Sequence, residues 1–227
     1  MADEFGASDK EKIFPAFIVL DTSWSMEQGG RLEAAEEMVP AVLDVVLGDP
    51  AVKDKLRLEV VTFSETAEVL IPFGKVTDIQ AVPPLSAQGG THYGAAFTLL
   101  RTEIESAVNQ LRADGYDVLR PTVFFITDGE PIDDDADRQA AFAALTEDSF
   151  KANPNVFVFG VGEATPEDLK PYMHRKGIVA ISKGSAAEGL KGLIPAITQS
   201  IVSSATGAAT GGGVTFDRDM LDDDDFD

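Results

Sequence analysis

Residues 14–25 read FPAFIVLDTSWS, and the fold turns on how that run is taken. Phe14–Leu20 is almost unbroken in apolar residues. Strict alternation would leave one face in water, whereas an unbroken run marks a strand buried on both faces, as in a parallel sheet flanked by helices. The run stops at Asp21-Thr22-Ser23-Trp24-Ser25, a polar stretch at the strand's carboxyl end. In open α/β sheets ligands bind beyond those ends, where the strand order reverses.

Working outward, Leu32, Ala35, Val39, Val42, Leu43 and Val46 predict a helix over 31–48, with Pro40 expected to kink it. Leu56–Phe63 (LRLEVVTF) and Ala67–Phe73 (AEVLIPF) flank Ser64-Glu65-Thr66 and read as a hairpin. Pro72 demands that its strand lie at an edge. A Pro- and Gly-rich stretch, Val82 to Gly90, precedes a helix with apolar Ala96, Phe97, Leu100, Ile104, Ala107, Val108 and Leu111. Thr122–Ile126 (TVFFI) is a second buried strand that runs out into Thr127-Asp128-Gly129. A helix over 134–150, a strand over Val156–Val161, a short helix over Pro166–Met173, a short strand over Ile178–Ile181 and a last helix over 187–203 complete the reading. Strands alternating with helices predict an α/β fold, Rossmann-like and doubly wound, with a mostly parallel sheet and helices on both faces. The expected divisions are a flexible N-terminal arm (1–12), a folded domain (13–204) and a Gly-rich, acidic, disordered tail (205–227).

With 227 residues, 44% of them hydrophobic, the chain can build a core without covalent staples. It has no Cys, which excludes disulfides, thiolate metal sites and cysteine nucleophiles. No apolar run approaches the ~20 residues of a membrane span. The polar first twelve residues do not resemble a secretory leader, so a cytoplasmic location is expected. Net charge is −21, and residues 217–227 hold seven Asp against one Arg. Acidity on this scale disfavours nucleic acid and anionic membrane as partners and favours cations and basic surfaces. Solubility accounts for most of it.

Three segments fall at the expected strand ends: Asp21, Ser23 and Ser25; Thr91 after Gly89-Gly90; and Asp128 before Gly129. All their side-chain donors are oxygens, which suits Mg²⁺, Mn²⁺ or Ca²⁺ and disfavours zinc. Two carboxylates and three hydroxyls are sparse for Ca²⁺, so Mg²⁺ fits better. Without a cation, Asp21 and Asp128 should repel, and one should hold its proton more tightly. Gly89 and Gly90 let the backbone bring Thr91 close. Trp24 is either an exposed anchor for a partner or packed on the neighbouring loop. His92 is either a hydrogen-bond donor to an incoming carboxylate or, the favoured alternative, a neutral residue at a helix start, and His174 is expected to be a surface residue.

The Asp-x-Ser-x-Ser triplet, the distant Thr and the distant Asp, in that order, resemble the metal-ion-dependent adhesion site of von Willebrand factor A domains. The resemblance covers roughly residues 12–203. It implies a six-stranded sheet of order 3-2-1-4-5-6, with strand 3 as the antiparallel edge. It also implies that Asp21, Ser23, Ser25, Thr91 and Asp128 hold a divalent cation directly or through water. An Asp or Glu carboxylate from a protein partner would fill the open position. Leu56–Phe63 with its hairpin, Pro83-Pro84-Leu85 and Ser86–Thr91 (SAQGGT) look most like the cytoplasmic bacterial TerY-type proteins linked to tellurium resistance. That likeness implies a stress or tellurite-resistance setting, with a kinase and a phosphatase as partners.

Rival readings are a Mg²⁺-dependent aspartyl-phosphate enzyme or phospho-receiver built on Asp21, and an adaptor with a degenerate metal site. The first needs an acid two residues after Asp21, where Ser23 stands. A receiver needs an acidic pair and a late Lys; Lys183 is available, but Asp21 has no adjacent acid. No GxxxxGK[ST] loop or Ser-His-Asp set is present, so the protein is expected not to be an enzyme. In the adaptor reading, Asp222–Asp225 beside Phe226 would dock in a basic groove. Tail carboxylates could also reach the metal site itself.

Overall fold

The elements of the fold are β1 (Lys12–Asp21), α1 (Arg31–Gly48), α2 (Pro50–Lys53), β2 (Leu56–Phe63) and β3 (Ala67–Lys75). They continue through α3 (Tyr93–Ala113), β4 (Asp117–Val118), β5 (Thr122–Thr127), α4 (Asp135–Thr146) and β6 (Asn155–Gly160). The last are α5 (Pro166–Leu169), β7 (Val179–Ile181) and α6 (Ala186–Gly207). This computed structural model describes residues 10–181 and 185–207.

Side chains of β1 alternate between two cores. Phe14, Ala16, Ile18 and Leu20 enter one, while Phe17 and Val19 enter the other. The same division splits β5 into Phe124 and Ile126 against Val123 and Phe125, and β6 into Phe157 and Phe159 against Val156 and Val158. Both faces of these strands are dry, so a polar residue there needs a hydrogen-bond partner, as Asn155 finds in Thr122. Buried Met38, Val39, Val42 and Val46 of α1 and Leu190, Leu193, Ile197 and Ile201 of α6 cover the first core. Tyr93, Phe97, Leu100 and Ile104 of α3, with Leu145 of α4, cover the second.

The main path of the sheet is β3-β2-β1-β5-β6-β7. Only the β2–β3 pair on it is antiparallel. That is the expected order and the expected antiparallel edge. One strand is additional: two-residue β4 pairs with the start of β1. Asp117-Val118 is too short to show a strand pattern of its own. From β1 the chain winds outward to β2 and β3, and α3 then returns it to β5 on the other side of β1. The strand order therefore reverses between β1 and β5.

Several boundaries differ from expectation. Pro40 lies inside α1, where it is exposed while Val39, Val42 and Leu43 beside it are buried, so the helix continues past it. α4 ends at Thr146, four residues early. α6 extends to Gly207, past the expected end, because Ala205 is buried against the first core. Lys12, expected in the arm, begins β1. The readings of residues 1–9, of Lys183 and of 208–227 lie outside the described residues. No helix among the described residues is long and apolar enough to cross a membrane.

Pro72 is accommodated as its chemistry requires. β3 is an edge strand, and its register slips so that Leu58 pairs with Gly74 but Val60 with Ile71. Pro72 and Phe73 thus stand opposite the single residue Glu59 in a bulge. Glu59 is buried, and its Oε1 has no hydrogen-bond partner. Burial, reinforced by the Glu103 carboxylate, pushes its carboxyl up to about 8 from an ordinary 4.5. Folded Glu59 therefore keeps a proton that the unfolded chain releases. Its contribution to stability is full below about pH 4.5 and is lost as pH rises through about 8. Glu59→Gln should flatten that decline in urea unfolding followed across this window. Equal slopes in the two proteins would mean that Glu59 is already ionised in the folded state.

Candidate metal centre

β1 and β5 run side by side with Leu20 opposite Ile126. Asp21, Thr127 and Asp128 therefore emerge together at the carboxyl edge of the sheet, at the point where the strand order reverses. Asp21 and Asp128 are both 0% exposed. Carboxylates so placed need donors around them. Asp21 Oδ1 accepts the Ser23 backbone N–H at 2.8 Å, and its Oδ2 accepts the Thr127 hydroxyl at 2.6 Å. Asp128 Oδ1 accepts the Ser25 hydroxyl at 2.6 Å. Its Oδ2 meets the Arg31 guanidinium, with Nη1 at 2.7 Å. Ser23 Oγ lies 2.9 Å from Ser25 Oγ, which joins the two halves. Four of the five expected residues thus form one hydrogen-bonded cluster.

Thr91 is placed by backbone rather than by its hydroxyl. The Trp24 N–H donates to the Gly89 carbonyl at 3.1 Å, and the Gln88 N–H to the Thr22 carbonyl at 2.8 Å. The Thr91 carbonyl accepts the Ile132 N–H at 2.8 Å. Thr91 is therefore pinned between the loop of Asp21 and the loop after Asp128, and it is buried there. Gly89 has φ +64°, and a Cβ on it would come within 2.8 Å of Glu65 Cγ. The positive φ is what favours glycine there, and any side chain would also have to displace that of Glu65.

Burial pushes the Asp21 carboxyl up to about 6, against the pull of hydrogen bonds from Ser23 and Thr127; repulsion from Asp128 adds least. A raised carboxyl was expected, but burial outweighs the paired charge as its cause.

Arg31, Thr127 and Tyr93 were not foreseen as part of the site. Arg31 begins α1, where a cation opposes the helix dipole. That misfit was the one available signal. The Tyr93 hydroxyl reaches the Gly129 carbonyl at 2.8 Å and Thr127 Oγ1 at 3.2 Å, as a buried tyrosine requires. Trp24 is 58% exposed, which decides for the exposed alternative. His92 stands at the start of α3 and makes no capping bond through its side chain. His174 is more than a surface residue. Its Nδ1 lies 2.9 Å from the Pro154 carbonyl, and its backbone bridges to Val156.

Among the described residues no group of three or more His, Cys, Asp or Glu is gathered to hold a metal. The cluster at the strand ends is of another kind, two carboxylates supplemented by hydroxyls.

The von Willebrand factor type A domain family matches residues 17–188, and the chain belongs to that family. Its fold is shared with the von Willebrand factor type A protein from Catenulispora acidiphila, at 19% identity and a TM-score of 0.68, over 85% of this chain and 43% of that one. Proximal thread matrix protein 1 from the mussel byssus, solved with a zinc-occupied MIDAS motif, is 19% identical with a TM-score of 0.58, over 85% of this chain and 49% of that one. The pilus adhesin SpaC from Lactobacillus rhamnosus GG is 14% identical with a TM-score of 0.63, over 86% of this chain and 31% of that one. The chain thus spans less than half of each of these solved chains. No curated protein matches it.

Thr127→Val keeps the shape of the side chain and removes the donor from buried Asp21. Lost hydrogen bonds to charged groups are worth about 1.5–3 kcal/mol. Chemical denaturation at neutral pH should show a loss of that order. Unchanged stability would mean that the hydroxyl does not hold the carboxylate.

Proposed function

We propose that this domain is a metal-dependent protein-interaction module. A divalent cation is held by Asp21, Ser23, Ser25, Thr91 and Asp128, and a partner's Asp or Glu carboxylate completes its shell. The observation that carries the reading is the gathering of two wholly buried carboxylates at the strand-order reversal. Burial holds Asp21 back from ionising, up to about 6, and an adjacent cation would relieve that cost. Domains of this family commonly work as metal-dependent interaction modules.

The donor set fits a small hard ion. Mg²⁺ or Mn²⁺ is preferred, since either tolerates retained waters and few protein ligands. The zinc-occupied site of the mussel protein keeps zinc among the ions to be titrated. Trp24, exposed beside the site, suits an anchor against the partner. An aspartyl-phosphate mechanism is disfavoured. It would need Asp21 as an accessible nucleophile, whereas Asp21 is buried with both oxygens already accepting hydrogen bonds. A cytoplasmic stress or tellurite-resistance setting, with a kinase and a phosphatase as partners, rests on the TerY-like stretches alone.

Calorimetric titration of the full chain with Mg²⁺, Mn²⁺ and Zn²⁺, beside Asp21→Asn, tests the reading. The acidic tail is common to both proteins, so its cation binding cancels in the comparison. One saturable site in the wild type, absent from the variant while circular dichroism is unchanged, is expected. Identical isotherms would remove the metal from the account.

A further inference from the structure

We infer that Arg31 is a specificity-determining residue: it gives the metal-loaded site a net positive charge, and so makes the site select an anionic ligand. The inference rests on the metal reading above and adds to it the reason that a carboxylate is recognised.

The Arg31 seat is built. Nη1 lies 2.7 Å from Asp128 Oδ2 and 3.2 Å from the Ser25 carbonyl. The guanidinium rests against Gly162, where an added Cβ would lie 3.1 Å from Arg31 Cζ. Gly162 also has φ +66°, which favours glycine. The loop that carries it is fixed by Val161 N–H to the Thr127 carbonyl at 3.0 Å and by Glu163 N–H to the Asp128 carbonyl at 3.1 Å. The Arg31 side chain is only 14% exposed, so water screens its charge weakly.

Charge balance follows. Asp21 and Asp128 carry two negative charges when both are ionised, and a divalent cation cancels them. A site containing only those groups would be neutral and would draw a carboxylate by coordination alone. Arginine stays protonated in proteins, so the loaded site with Arg31 carries one positive charge. A single carboxylate neutralises it. Elsewhere the chain is strongly acidic, with a net charge of −21, so an anionic partner is repelled except at such a locus.

Arg31 therefore has two opposed effects. It repels the incoming metal, and it attracts the ligand that follows. A residue that merely oriented Asp128 would act differently, since its loss would weaken the metal and leave the ligand's charge preference alone. The test measures Mn²⁺ binding to the full chain by electron paramagnetic resonance, taking as the site's share the binding lost in Asp21→Asn. Acetate is then titrated onto the Mn²⁺-loaded protein at constant ionic strength. Arg31→Gln should bind Mn²⁺ about tenfold more tightly and acetate about tenfold more weakly. Arg31→Lys, which keeps the charge, should stay near the wild type in both. Arg31→Met repeats the measurement with a different uncharged side chain. Unchanged or weaker Mn²⁺ binding in the uncharged variants would overturn the inference and leave the metal site standing. Tighter Mn²⁺ with unchanged acetate would overturn it as well. Absence of Asp21-dependent Mn²⁺ binding in the wild type would instead remove the metal reading, and this inference with it.

Discussion

Two carboxylates kept from water at the ends of adjacent strands are the constraint that organises this molecule. Burying an ionised group costs several kcal/mol unless donors or opposite charge meet it. The surroundings of Asp21 and Asp128 read as answers to that cost. Ser23 and Thr127 supply donors to Asp21. Ser25 and Arg31 supply a donor and a charge to Asp128. The residual imbalance falls on Asp21, whose carboxyl stays raised. A site balanced in this way gains from a cation, and a loaded site that retains Arg31 gains from an anion. The two halves of the proposed function therefore follow from one electrostatic situation.

The packing beneath the site keeps it aligned. The Tyr93 ring sits in an aromatic cluster, 4.9 Å from Phe125 and 5.8 Å from Phe63 between centroids. Its hydroxyl meets the Gly129 carbonyl and Thr127 Oγ1. The core under α3 is thus joined to the donor of Asp21 through one side chain. Above it the loops are tied crosswise. The Thr22 N–H donates to the Phe63 carbonyl at 2.8 Å, and the His92 N–H to the Ser64 carbonyl at 3.0 Å. These bonds fasten the Asp21 loop to the end of β2, and the residue that precedes α3 to the β2–β3 turn.

Much of this was legible in the chain itself. The unbroken run of β1 announced a strand covered on both sides, and Pro72 announced the edge. Asp21, Ser23, Ser25 and Asp128 were singled out by residue type and by position at strand ends, which are local properties, and the structure gathers them into one hydrogen-bonded cluster. Arg31 was not, because its partner lies 97 residues away, and a cation at the first residue of α1 is too weak a sign to show that the side chain turns toward the site. That the Asp21 carboxyl is raised mainly by burial was hidden for the same reason, since burial is set by the packing around the strand ends. The exposure of Trp24 depends on how the facing loop lies, and the length of α6 on whether Ala205 finds a core. Both are tertiary facts that override local pattern.

The central claim is that a divalent cation sits between Asp21 and Asp128. A crystal of the full chain grown with Mn²⁺ and measured at the manganese absorption edge tests it most directly. The account predicts an anomalous peak within coordination distance of both carboxyl groups and of the Ser23 and Ser25 hydroxyls. Manganese found only at other acidic residues, with the strand ends empty and Arg31 still on Asp128, would contradict it.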